Sequence, residues 1–190
     1  TASGSVMTPE GLRNEDALLL SQACSEPMSY ANVNPVALAP AIAPHLAARD
    51  AGVSLDARQL ADHCARIVAS GTDLVVIEGA GGWRVPLNER EFFSDIAINL
   101  KIAVILVVDI KLGCLNHALL SAEAIRHDGL SLAGWVANCS SGPDPRHGDM
   151  VTSLRGRLGC PQLADIPRGP AVVDECIAFA AEHIDLSLLL

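Results

Sequence analysis

The run Ile102–Ile110, "IAVILVVDI", decides the fold. It is apolar, rich in β-branched residues and almost without alternation. A half-buried strand alternates apolar and polar side chains, so this run is expected to be a strand covered on both faces. Working outward, "DLVVIE" (73–78) reads as another buried strand, "LAGWVAN" (132–138) as a third, and "PQLADIP" (161–167) as a possible edge strand.

Helical patterns lie between these runs. "NEDALLLSQAC" (14–24) has Asn14 as its N-cap. "NVNPVALAPAIAPHLAARDAG" (32–52) holds three prolines and cannot be one helix, but a piece is expected through "PHLAARDAG", stopping at Gly52. "SLDARQLADHCARIVASG" (54–71) is amphipathic, with Ser54 as the expected cap. "REFFSDIAINLK" (90–101), "CLNHALLSAEAIRHDG" (114–129), "VTSLRGRLG" (151–159) and "VVDECIAFAAEHIDLSLLL" (172–190) complete the set. Strands alternating with helices imply an α/β fold, a parallel β-sheet with helices on both faces, in one domain spanning 1–190.

Bulk properties narrow the partners. The 190 residues are 50% hydrophobic and 3% aromatic, so Ala, Leu, Val and Ile must build the core. The net charge is −9 with no basic run, which argues against nucleic acid or an anionic membrane surface as main partner. Six cysteines include no CxxC pair and no zinc-ligand spacing, as expected of free thiols in a reducing cytoplasm. No apolar run approaches the ~20 residues of a membrane span, and no signal peptide is visible. The chain begins "TASGS" without an initiator Met, so a mature product or a fragment is expected. Lysine occurs only at Lys101 and Lys111.

In a parallel sheet, ligands sit beyond the carboxyl ends of the strands. That edge should hold Glu78 with Gly79, Gly81 and Gly82, the stretch Asp109 to Cys114, and Asn138. Glu78 beside a Gly-rich turn suits Mg²⁺ or a water on it, and the glycines would let backbone N–H groups reach a phosphate or carboxylate. A Gly-rich turn with a solvated Glu78 fits the same residues. In "IKLGCLNHA", Lys111 and Gly113 precede a helix whose first turn is Cys114, Leu115 and Asn116, an anion site or an ordinary βα loop. Asp16 lies in a first helical turn, where it complements the helix dipole. Asn138 is a turn residue or reads a base edge with its amide. His45, His117 and His147 have no metal-ligand spacing. Ser140 and Ser141 precede Gly142 and Pro143, a turn rather than a nucleophile, since no G-x-S-x-G elbow exists.

Taken together, several of these strings resemble the dethiobiotin synthase family. They are "ASGSVMTPEGLRNEDALLL", "NVNPVALAPAIAPHLAA", "VVIEGAGGWRVPL", "VILVVDIKLGCLNHALLSAEAI", "LAGWVAN" and "ADIP", in family order along almost the whole chain. The resemblance implies a P-loop NTPase fold, a homodimer, and ATP-dependent carboxylation and ring closure of 7,8-diaminopelargonate with CO₂ and Mg²⁺. It also implies residue roles. Ser3 would contact the diamine or carbamate, Asp16 and Glu78 would hold Mg²⁺, and Glu78, Gly79, Ala80 and Gly81 would line the nucleotide phosphates. Gly113, Cys114, Leu115 and Asn116 would receive the substrate carboxylate at the dimer interface. Asn138, with Cys139, would read adenine. Pro167, Arg168 and Gly169 would border base and ribose, with Asp174 nearby, and Lys111 could assist anion binding.

The sequence departs from the family at one place. The family opens with a strand, a G-x-x-x-x-G-K-T loop, a helix and a strand ending in a lysine, and no Gly-Lys dipeptide occurs in these residues. The fold is therefore expected to lack its N-terminal βαβ portion, and the chain alone to have little activity and low stability. The alternatives are a non-catalytic relative acting as a binding or regulatory subunit, and a related P-loop amidoligase or cobalamin-pathway synthetase. The latter would carry a glutaminase domain, for which the chain has no room.

Overall fold

A computed structural model describes residues 1–79, 81–142, 144–170 and 173–189, with residues 173 and 174 described by their backbone alone. The chain divides into two compact units, Thr1–Leu100 and Lys101–Leu190.

The first unit opens with an extended segment tied to the proline-rich stretch. Ala2 N–H donates to Val36 O at 2.9 Å, Leu38 N–H returns to Ala2 O at 2.8 Å, and Ser5 N–H reaches Leu38 O at 2.9 Å. An antiparallel hairpin follows, β1 (Val6–Thr8) and β2 (Gly11–Arg13), which the sequence pattern did not reveal. Next come α1 (Glu15–Ala23), a short α2 (Tyr30–Val33), α3 (Pro44–Asp50), α4 (Ala57–Val68) and α5 (Ser94–Leu100). Asn14 caps α1 as expected, accepting Ala17 N–H at 3.1 Å. The cap of α4 is Asp56 rather than Ser54: its carboxylate accepts Gln59 N–H at 2.8 Å, while Leu55 is drawn into the core. Helix α5 starts at Ser94, later than Arg90, because Pro86 and Phe92 bridge as extended backbone and Glu91 turns back to accept Ala57 N–H at 3.1 Å. Leu38, Ala47, Leu60, Leu87 and Ile96 form this unit's core.

The stretch Asp73–Glu78 is not a strand in this structure. An apolar run becomes a strand only by exchanging backbone hydrogen bonds with a neighbour. None pairs with it among the described residues, and Leu74 and Val76 are left 68% and 77% exposed.

The second unit is a three-stranded parallel sheet in the order β3 (Val104–Asp109), β4 (Leu132–Asn138), β5 (Gln162–Ile166). Helices α6 (Cys114–His127) and α7 (His147–Leu158) pack on one face, where Ala118, Ala122, Leu154 and Leu158 meet Val108, Trp135 and Ala137. Helix α7 begins four residues before the expected start. The C-terminal stretch is not one helix. After α8 (Val173–Ala181) the chain extends, Ile184 bridges Ala164, and a 3-10 turn follows at Leu186–Leu189. The reason is burial: Ile184 and Leu189 cover Val136, Leu163 and Ala164 on the other sheet face.

That cover does not reach β3. Ile105 is 43% and Val107 61% exposed, so the central apolar run is covered on one face only within this unit. Among the described residues, β3 is the edge strand of this sheet and pairs only with β4.

Candidate functional site

The three parallel strands end in one row. Asp109 stands opposite Asn138, and Asn138 opposite Ile166. Backbone bonds lock the exits: Ile110 N–H donates to Asn138 O at 2.8 Å, and Cys139 N–H to Ile166 O at 2.9 Å. Parallel pairing places all three carboxyl ends on one edge, where side chains in the following loops converge.

Asp109 spends both carboxylate oxygens there. Oδ1 accepts the Ser140 hydroxyl at 2.6 Å and the Ser140 N–H at 3.3 Å. Oδ2 lies 2.7 Å from Lys111 Nζ. Hydrogen bonds from Lys111 and then Ser140 favour the ionised form and hold this carboxyl below the usual range. Lys111, expected to assist anion binding, is thus ion-paired with Asp109 while its side chain stays well exposed.

Gly113, in the left-handed region at φ 94°, turns the chain into α6. Cys114 is buried, with its thiol 3.7 Å from the Met150 sulfur, and its N–H is taken by Lys111 O at 2.9 Å. Leu115 packs on the core and Asn116 is exposed. As first-turn residues, both carry N–H groups without an intrahelical acceptor. Leu112, just before the turn, is 96% exposed.

The β4 and β5 exits approach each other. The buried Cys139 thiol donates to Gly142 O at 2.9 Å, closing a tight turn around Ser140 and Ser141. Gly142 has φ 97°, and the space of an added Cβ would lie 3.4 Å from Arg168 Nη1. Pro167 and Arg168 are exposed, and Gly169 lies against Phe179. Asp174 is in the first turn of α8, its side chain outside the description. Asn138, Cys139, Arg168 and Gly169 thus share one corner of this unit.

In the first unit, Ser3 and Asp16 are linked through Asn14. Asn14 Nδ2 donates to Ser3 O at 3.2 Å, and its Oδ1 caps the helix whose first turn carries exposed Asp16. Glu78 and Gly79 are exposed, and Ala80 lies outside the described residues. Gly81 has φ 87°, and a Cβ there would sit 2.9 Å from Val85 Cγ2, so this bend requires glycine. Among the described residues no three His, Cys, Asp or Glu side chains gather. Mg²⁺ needs only one or two carboxylates beside water and substrate phosphates, a donor set that exposed Asp16 and Glu78 fit.

Relatives give these features a context. A family model described as an AAA domain matches residues 6–175. An ATP-dependent dethiobiotin synthetase of Pseudomonas aeruginosa is 51% identical over 185 residues, covering 97% of this chain and 80% of the relative. The chain belongs to the dethiobiotin synthetase family. The same name is carried by a Cellvibrio japonicus protein, 46% identical over 100% of this chain and 81% of its own length. A Marinobacter nauticus dethiobiotin synthetase is 51% identical over 87% of this chain and 71% of its own. The matched residues 6–175 include every candidate site residue read from the sequence except Ser3.

Sequence reasoning placed Asp109 on this edge but gave it no task, and it read Ser140 only as a turn residue. The available signal was an acidic residue at the last position of a strand otherwise wholly apolar. Asn14 was read only as a cap, and nothing local connects it to Ser3.

Proposed function

We propose that this chain serves biotin biosynthesis within an ATP-dependent dethiobiotin synthetase, whose reaction joins 7,8-diaminopelargonate and CO₂ into dethiobiotin and needs a phosphate loop besides these 190 residues. The observation that carries the reading is the shared corner at the β4 and β5 exits, where Cys139 N–H holds Ile166 O. It gives Asn138, Arg168 and Gly169 a common frame at the strand ends, the place where such sheets bind nucleotides.

The diamine carbamate attacks the γ-phosphate of ATP and displaces ADP; the second amine then attacks the carbonyl of the resulting carbamic–phosphoric anhydride, closing the cyclic urea and releasing phosphate. Such chemistry is carried by positioning and charge stabilisation. The amide of Asn138 offers both a donor and an acceptor to adenine, with Cys139 shaping its turn and Pro167, Arg168 and Gly169 bordering base and ribose. The first turn of α6, from Gly113 to Asn116, receives the substrate carboxylate through backbone N–H groups and the helix dipole. Ser3 faces the diamine side. Glu78, Gly79, Ala80 and Gly81 line the phosphates, and Asp174 lies near the ribose. Asp16 and Glu78 would hold Mg²⁺, which when bound offsets charge on the transferring phosphoryl group. The reading includes a homodimer with the site at the interface, where Leu112, 96% exposed and next to the carboxylate turn, would be covered by the partner. Six free cysteines support a reducing, cytoplasmic setting.

A second reading rests on one sequence fact. These 190 residues contain no Gly-Lys dipeptide, so the lysines of a phosphate loop are not among them. A binding or regulatory subunit would need the base and carboxylate sites but not that loop. Turnover separates the readings: dethiobiotin formation is measured for this polypeptide and for the same polypeptide joined to the G-x-x-x-x-G-K-T unit of a relative. Activity is expected only in the joined protein, because each lost transition-state donor costs about 3–4 kcal/mol. Inactivity of both, with adenine nucleotide still bound, would support the subunit reading.

A further inference from the structure

We propose that Asp109 is a positioning residue that ties the nucleotide-base turn to the substrate-anion turn. This inference rests on the base-site reading of Asn138 given above. Asp109 closes β3, the strand that feeds the Lys111–Asn116 turn. Ser140 lies two residues after Asn138, in the loop that leaves β4. The two loops are 31 residues apart in sequence and are joined by the two Ser140 bonds to Oδ1, at 2.6 and 3.3 Å. The other oxygen takes Lys111 at 2.7 Å, which fixes the start of the anion turn. One carboxylate therefore holds a group from each loop.

The geometry is specific to this use. Asp109 lies in register with Asn138, so its side chain stands beside the exit of β4 rather than over a helix. Cys139 is held independently, by Ile166 O on one side and Gly142 O on the other. Ser140 is the exposed link between these fixed points, and the bond to a carboxylate is the charge-assisted kind that orients most strongly. Loss of that bond leaves the sheet intact and frees the turn, so base placement suffers before stability does.

The test has two arms on the 190-residue chain. In the first, hydrogen exchange is followed at the amides of residues 138–142 in Ser140→Ala, Asp109→Ala and Ser140→Thr. The two alanine variants are expected to exchange about three- to ten-fold faster there, the worth of one partly exposed charge-assisted bond, with the β4 interior unchanged. Ser140→Thr, which keeps the hydroxyl, is expected to match the parent protein. In the second arm, ADP affinity is measured by calorimetry and is expected to fall about three-fold or more in Ser140→Ala and to return in Ser140→Thr. Unchanged exchange in Ser140→Ala, or a threonine variant that behaves like alanine, overturns the tether. Faster exchange with unchanged ADP affinity overturns its role in base placement. Asn138→Ala serves as the separate control: if it leaves ADP affinity unaltered while the exchange results hold, the base-site reading fails and the tether stands.

Discussion

The Tyr30 hydroxyl accepts the backbone N–H of Asn14 at 2.7 Å across a separation of 16 residues. The same oxygen accepts Asn34 Nδ2 at 3.1 Å, and the Arg13 guanidinium stacks 4.3 Å from the ring centroid. Asn14 in turn holds Ser3 and caps α1, so one phenol supports the segment that carries both Ser3 and Asp16. Asn34 is buried, and its Oδ1 already lacks a partner among the described residues.

Tyr30→Phe keeps the ring and its stacking but removes the acceptor. The Asn14 N–H and the Asn34 amide are then left unpaired in a largely buried setting. The expected loss is about 2 kcal/mol, the desolvation cost of orphaned polar groups. It should show as a lower urea midpoint with an unchanged m-value. A midpoint shift worth less than about 0.5 kcal/mol would mean that water replaces the hydroxyl without cost.

Gly134 makes room for Leu163. A Cβ at position 134 would lie 2.6–2.8 Å from the Leu163 side chain, which is itself only 2% exposed and has little freedom to withdraw. Gly134→Ala is expected to cost about 1–3 kcal/mol through overpacking. Leu163→Ala should cost about 2–5 kcal/mol as a cavity. Residues that share one space are not additive. The double variant should therefore be no less stable than Leu163→Ala alone, and a fully additive loss in the same unfolding series would contradict the clash.

The Asp109 interactions predict the form of an acid limb. Lys111, then Ser140, lower the folded-state pKa relative to an ordinary aspartate. A carboxylate depressed in the folded state contributes stability that is present above its unfolded value of ~3.9 and is lost as pH falls through the folded value. The stability difference between the parent chain and Asp109→Asn should be flat at neutral pH and shrink below about pH 4. Because Lys111 is well exposed, the neutral-pH difference should stay within about 1 kcal/mol. Denaturant midpoints measured from pH 7 down to the acid transition check it. A difference that grows on acidification would reverse the assigned sign.

The α/β class and the sheet of the second unit were legible because the signals there are local and redundant. "LAGWVAN" is bounded as written, and Gly113 and Gly159 mark the start of α6 and the end of α7. Asp73–Glu78 was misread because pairing is a property of two segments, and an apolar run carries no record of its partner. The hairpin at residues 6–13 was missed for another reason: its strands are three residues each, too short to show a period. In the site, glycine turns and strand ends were visible as composition. The Asp109–Ser140 and Asn14–Ser3 links were not, because they join residues that only the fold makes neighbours.

Leu112 offers the last test, of the proposed homodimer. It is 96% exposed, and it precedes the Gly113–Asn116 turn. An isolated exposed leucine needs no explanation in a monomer. Beside a site that is read as shared between subunits, it is the side chain expected to be covered by the partner. A two-fold dimer uses the same patch on each subunit, so a single substitution acts twice. Burial of one leucine is worth about 1.5–3 kcal/mol, and two copies correspond to a change of about 100-fold or more in the dimer dissociation constant. Leu112→Asp should shift sedimentation equilibrium toward monomer while leaving the denaturant midpoint of the dilute monomer unchanged, since the side chain packs on so little of its own subunit. A variant that associates as the parent chain does would remove Leu112 from the interface, and a parent chain that is monomeric at all concentrations would remove the dimer.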